Sequence, residues 1–217
     1  MDSVFEPSTF KPLYDKGRKE RFPSVLHGCV GALSALSLLH RLKLVHKDVK
    51  LDNILQADGE GKLADFGTCA DEGSEAKYAG TPGYMPPELV MGPCLNDPSM
   101  DMFCTGTTLL CAFAPDKVVE LISLNDKFHD SFRNVNGTPK KLSEKERKAL
   151  IDAYKSEIKK IQKKLMATQK DPWCLIAECI DFDPKNRPKS AAALSRLQAV
   201  EEAFNRTGVF VVPARRA

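Results

Sequence analysis

The stretch Leu44–Leu55, LVHKDVKLDNIL, followed by Ala64–Gly67, ADFG, constrains this chain more than any other part of it. Taken singly, an Asp or Asn beside a short strand is an ordinary turn residue. Taken together, Asp48, Lys50, Asn53 and Asp65 bring the groups that one reaction needs. Phosphoryl transfer from a nucleotide asks for a carboxylate to orient and deprotonate an attacking hydroxyl, a cation near the moving phosphate, and oxygen ligands for Mg²⁺. Mg²⁺ is a hard ion that prefers carboxylate, amide and phosphate oxygens, so one Asn and one Asp suit it.

These residues resemble the catalytic loop and the magnesium loop of eukaryotic-type protein kinases. The resemblance implies that Asp48 is the catalytic base and that Lys50 contacts the transferred phosphate of the nucleotide. It also implies that Asn53 and Asp65 hold the metal, with ATP and Mg²⁺ as cofactors and a protein as substrate. A Lys two positions after the catalytic Asp is the serine/threonine form of the loop. The run Gly80–Glu88, GTPGYMPPE, resembles the family's activation and substrate-binding segment, with Pro-Pro-Glu where A-P-E is usual. By that likeness Thr81 hydrogen-bonds the catalytic carboxylate, and Ser74, Tyr78 and Thr81 are candidate phosphosites. Asp101–Gly106, DMFCTG, is similar to D-x-W-S-x-G, which makes Asp101 a brace for the catalytic-loop backbone. Asp181–Pro188 resembles D-P-x-x-R-P, and Arg187 is expected to pair with Glu88. Lys47 stands where the family usually has an Arg that grips a phosphate through two parallel bonds. A lysine is a point charge and cannot fork in that way.

The rest of the chain bounds this reading. A length of 217 residues suits one domain with a proper core. A formal charge of +3 is too mild to argue for nucleic acid. The seven cysteines form no C-x-x-C pair and read as reduced thiols rather than a disulfide or zinc framework. No apolar run approaches the ~18 residues of a membrane span, and the opening MDSVFEPSTF lacks the basic-then-apolar order of a secretory signal. The expected location is the cytoplasm.

Leu26, Val30, Leu33, Leu36 and Leu39 recur at helical spacing after Pro23, then Leu42–His46 reads as a short strand. Asn53–Gln56 and Lys62–Asp65 read as two more strands around the turn Asp58–Gly61. Ser143 with Glu146 forms a capping box ahead of a stripe at Leu150, Tyr154, Ile158, Ile161 and Leu165. The opposite face of that helix carries Lys155, Lys159, Lys160, Lys163 and Lys164, with Lys170 beyond. It is read either as a solvated face or as a docking surface for an acidic partner or an anionic membrane. The expected fold is α+β, mainly α-helical, a kinase-like large (C-terminal) lobe whose short strands carry the catalytic and Asp65 loops. Residues 1–22 are expected as an irregular lead-in and 23–205 as the lobe, with a helical insertion about 138–170. Residues 206–217 form a tail.

The resemblance covers Phe10 to Leu197 and is to the large lobe alone. No G-x-G-x-x-G run and no V-A-I-K-like strand occurs in the sequence. Lys11, Lys16 and Lys19 lie outside any strand-like context. With the cradle for metal and phosphate but no lid, weak nucleotide binding and low turnover are expected of the chain alone, because electrostatic stabilisation weakens in a wet site. Three explanations stand open: a piece of a longer kinase, a second polypeptide that completes the site, or a lobe that has become a protein-binding module.

Overall fold

The computed structural model describes residues 2–3, 22–57, 60–134 and 137–210. Most of the expected lead-in, 1–22, and most of the expected tail, 206–217, lie outside the described residues, as do Asp58 and Gly59 of the expected turn. The elements run in the order β1 (Asp2–Ser3), α1 (Phe22–Arg41), β2 (Leu44–Val45), β3 (Ile54–Ala57), β4 (Glu60–Leu63), β5 (Ala70–Asp71), α2 (Glu88–Met91), α3 (Pro98–Phe113), α4 (Pro115–Phe132), α5 (Glu144–Met166), α6 (Trp173–Cys179) and α7 (Ser190–Thr207), with single 3-10 turns at Leu51–Asn53 and Pro184–Asn186. This is an α+β fold, mainly helical. Its strands are brief and serve as rims for loops: β1, β3 and β4 form one antiparallel sheet, β2 and β5 another.

Helix α1 starts at Phe22, one residue ahead of the expected Pro23. Proline costs little in a first turn, where its missing N–H has no helical partner. Val25, Leu26, Cys29, Val30, Leu33 and Leu36 all turn inward from it. Over an 18-residue window α1 averages a hydropathy of 1.6, enough by length and composition to cross a membrane, which corrects the expectation that no run is so apolar. In the fold it is a core helix, with 56% of that window buried and packed on α7 and β4. The contact with β4 requires glycine. A Cβ on Gly61 would stand 2.4 Å from the Gly28 carbonyl oxygen, closer than real atoms approach.

Helix α3 is buried from Met100 to Phe113 without a polar face, as a helix at the centre of a helical layer must be. Asp97 caps it by accepting from Ser99 N at 2.8 Å, and Pro98 opens it. Helix α4 has no counterpart in the sequence reading. Helix α5 lies inside the expected insertion and carries the capping box, Ser143 N donating to Glu146 Oε2 at 2.8 Å and Glu146 N to Ser143 Oγ at 3.3 Å. Tyr154, Ile158, Ile161 and Leu165 face the core. On the outer side Lys160 pairs with Glu157 at 2.6 Å, Lys164 with Glu120 at 2.9 Å, and Lys155 sits 4.5 Å over the Phe182 ring. Past α7, Phe210 folds back onto Phe22, with ring centroids 4.1 Å apart.

Candidate active site

One carboxylate anchors the loop that follows β2. Asp101, fully buried on α3, accepts from His46 N at 2.7 Å and from Lys47 N at 2.6 Å. His40 Nε2 lies 2.9 Å from the same side chain, and its Nδ1 lies 2.8 Å from Ser190 Oγ. The two amides point at one acceptor because Lys47 takes φ 72, a left-handed conformation that costs a side-chain-bearing residue and holds only where the surroundings fix it.

Beyond that anchor Asp48 gathers its neighbours. Its Oδ1 accepts from Thr81 N at 2.9 Å and from Thr81 Oγ1 at 2.6 Å. Its Oδ2 takes Lys50 Nζ at 2.9 Å and Asn53 Nδ2 at 3.2 Å. Lys50 Nζ also donates to Thr81 Oγ1 at 2.7 Å, and Asn53 Nδ2 donates to the Asp48 carbonyl at 2.8 Å. A carboxylate offers about four acceptor positions, and all are in use here. Burial pushes the Asp48 carboxyl up, but the hydrogen bonds from Thr81 and Lys50 outweigh it and hold the group below its ordinary 3.8. It is an ionised acceptor at neutral pH.

Asp65 takes φ 62 and accepts from Gly67 N at 3.2 Å within its own turn. It is tied to the cluster through backbone, since Ala64 N donates to the Asn53 carbonyl at 2.8 Å. His46 Nε2 lies 3.1 Å from the Ala64 carbonyl, and the His46 ring meets Phe66 edge-on at 5.3 Å. The structure thus brings Asp48, Lys50, Asn53 and Thr81 into one hydrogen-bonded cluster, while Asp65, one residue past the Ala64 that bonds Asn53, turns its carboxylate to Gly67 N. Among the described residues no group of three or more His, Cys, Asp or Glu is placed to hold a metal. One amide and one carboxylate would need phosphate oxygens and water to complete a Mg²⁺ shell, which is the usual way that ion is held.

The segment leading to Thr81 is fastened along its length. Lys47 is buried, and its Nζ donates to the Lys77 carbonyl at 3.2 Å. Burial lowers the pKa of that ammonium against the pull of Asp101. Asn96 Nδ2 donates to Ser74 Oγ at 2.9 Å. The Tyr78 hydroxyl lies 3.2 Å from His129 Nδ1, and the Arg133 guanidinium stacks 3.5 Å over the Tyr78 ring. Lys47, Asn96, His129 and Arg133 are contacts that the sequence reading missed or left unassigned. Their partners are backbone carbonyls or side chains of distant elements, which no local motif announces. Farther below, Arg187 forks onto Glu88 with bonds of 2.7 and 2.9 Å.

Burial, with the nearby Arg133 charge, pushes His129 from its ordinary 6.5 down to about 4. The unfolded chain then binds a proton between those values that the folded chain refuses, so stability is full above pH 6.5 and falls with acidification. Urea titrations between pH 7 and pH 4 should show a loss of up to about 3 kcal/mol from this one group. His129→Gln should flatten that part of the profile, and an unchanged slope would remove His129 as the cause.

A family model described as "Protein kinase domain" matches residues 23–197, most of the chain. The chain belongs to the protein kinase family. Relatives of this kinase chain include the serine/threonine-protein kinase Tao of Drosophila melanogaster, 41% identical over 85 residues. That match covers 38% of this chain and 8% of Tao. Serine/threonine-protein kinase 10-A of Xenopus laevis is 37% identical over 105 residues, covering 44% of this chain and 11% of that protein. Protein kinase C eta type of Mus musculus is 39% identical over 110 residues, covering 44% of this chain and 16% of that protein. The kinase chain therefore spans about a tenth of the length of the curated relatives it matches. The α+β, mainly helical fold with a few short strands fits that family.

Proposed function

We propose that this chain is the catalytic lobe of a serine/threonine protein kinase, transferring the γ-phosphoryl group of Mg-ATP to a protein hydroxyl. The observation that carries the reading is the Asp48 carboxylate, ionised and shared by Thr81, Lys50 and Asn53. Asp48 orients the incoming hydroxyl and accepts its proton. That hydroxyl enters by displacing one of the bonds that now saturate the carboxylate. Lys50, a cation on a flexible stem, is the group free to leave Asp48 for the transferring phosphate. Asn53 and Asp65 are the residues that would hold Mg²⁺, which would supply positive charge beside the phosphates.

No Gly-rich run and no strand Lys occurs in these 217 residues, so nucleotide binding by them alone is expected to be weak. The same observation favours the alternative that the lobe works as a binding module. Titration with Mg-ATP, followed by backbone-amide NMR, separates the two. Catalytic function predicts Mg²⁺-dependent shifts centred on Lys50–Asn53 and Asp65–Gly67 that vanish in Asp65→Asn. Absence of any shift at saturating nucleotide would favour the binding module.

A further inference from the structure

The substrate-facing loop rests on a buried support supplied by α4 and α5. Gly83 has φ +79, and a Cβ there would stand 2.7 Å from Ile122 Cγ2, so α4 touches the loop where no side chain fits. On the same helix Asn125 Nδ2 donates to the Gly83 carbonyl at 2.7 Å. Behind it the Tyr154 hydroxyl of α5 donates to Asn125 Oδ1. Both side chains are 1% exposed. The Tyr154 ring is held by Phe128 at 4.2 Å and Phe182 at 6.0 Å between centroids. An amide side chain has one acceptor oxygen and one donor nitrogen, so a hydroxyl donating to the oxygen leaves the nitrogen aimed at the carbonyl. The two bonds select one orientation. Tyr84 N returns to the Thr81 carbonyl at 3.1 Å, so the turn containing Gly83 also carries the Thr81 that bonds Asp48.

We propose that Tyr154 and Asn125 are positioning residues for the peptide substrate, a relay through which helix α5 sets where the Gly80–Tyr84 loop lies against Asp48. The inference rests on the kinase reading above for its substrate, but its geometry can be tested without catalysis. Tyr154→Phe deletes one hydroxyl and leaves the ring packing unchanged, while the Asn125 oxygen loses its partner. Losing one buried hydrogen bond changes an equilibrium by about fivefold, so amide exchange at Thr81, Gly83 and Tyr84 should quicken by about that factor. Under assay with any completing chain, KM for peptide should rise while KM for ATP stays at the parent value. A support of the fold alone would lower the melting temperature and leave the KM ratio and the loop's relative exchange unmoved.

Asn125→Ala should add less to Tyr154→Phe than it does to the parent, since both break one path. Should Tyr154→Phe fail to fold, the parent protein still decides. The Asn125 side-chain amide protons are expected to exchange slowly, and exchange at the rate of free amides would overturn the relay. So would loop exchange in folded Tyr154→Phe equal to the parent's. A chain that never transfers phosphate would refute the proposed function and leave the exchange result standing.

Discussion

Asp48→Asn is expected to lower phosphoryl transfer by roughly 10²–10⁴-fold, the usual contribution of a positioned general base. An amide keeps the shape of the carboxylate, and its oxygen still accepts from Thr81 N and Oγ1, which now approach at 2.9 and 2.6 Å. Its nitrogen, however, faces Lys50 Nζ, a donor against a donor. Lys50 then retains its bond to Thr81 Oγ1 at 2.7 Å, and the charge pair is lost. The variant should still fold, with a lowered melting temperature, because Asp48 is buried and both Lys50 and Asn53 lose an acceptor. The measurement is radiolabelled phosphate transfer from Mg-ATP to a mixed peptide library, with and without candidate completing chains. Transfer by Asp48→Asn at the parent's rate would remove Asp48 from the chemistry.

Arg187→Ala is expected to cost about 3–5 kcal/mol of stability, the range for stripping one partner from a buried ion pair. The Arg187 side chain is fully enclosed and Glu88 nearly so. Besides the fork onto Glu88, the guanidinium donates to the carbonyls of Asp181 at 2.8 Å, Ser99 at 3.0 Å and Phe182 at 3.3 Å. Truncation leaves a carboxylate unpaired and three carbonyls without this donor. Planar bidentate geometry also makes lysine a poor replacement. Equilibrium urea unfolding should show the midpoint falling for Arg187→Ala, with only partial recovery in Arg187→Lys. A loss below about 1 kcal/mol would mean that the pair is a solvated one. Glu88 closes the segment that bears Thr81, so protease sensitivity between Ser74 and Glu88 should rise together with the lost stability.

Much of this architecture is legible in the residues. The α1 stripe, the capping box of α5 and the Asp48–Asn53 loop each depend on spacing along a single element, which a sequence displays directly. Helix α4 was not legible, and the reason is physical. Its buried face runs through Val118, Leu121, Asn125, Phe128, His129 and Phe132, so two polar residues interrupt the apolar stripe. Both are buried because each has a partner from elsewhere in the chain, the Gly83 carbonyl for Asn125 and the Tyr78 hydroxyl for His129. Tyr154 was read as one more apolar residue of its stripe. Its ring confirms that, but its hydroxyl has a use that depends on where another helix lies. Lys47 could be recognised as unusual, yet the Lys77 carbonyl as its target is a product of the fold. Strand edges moved by a residue or two, because two- and four-residue strands are set by their pairing rather than by propensity.

The buried Asp101 has a consequence for how such a lobe keeps its form. One oxygen pair on α3 organises the backbone of His46 and Lys47 from beneath, while His40 ties that same acid to Ser190 at the start of α7. The loop is thus moulded by three helices on its underside. Remodelling the face that bears Phe66, by fusion or by an engineered cap, would meet a die already cast.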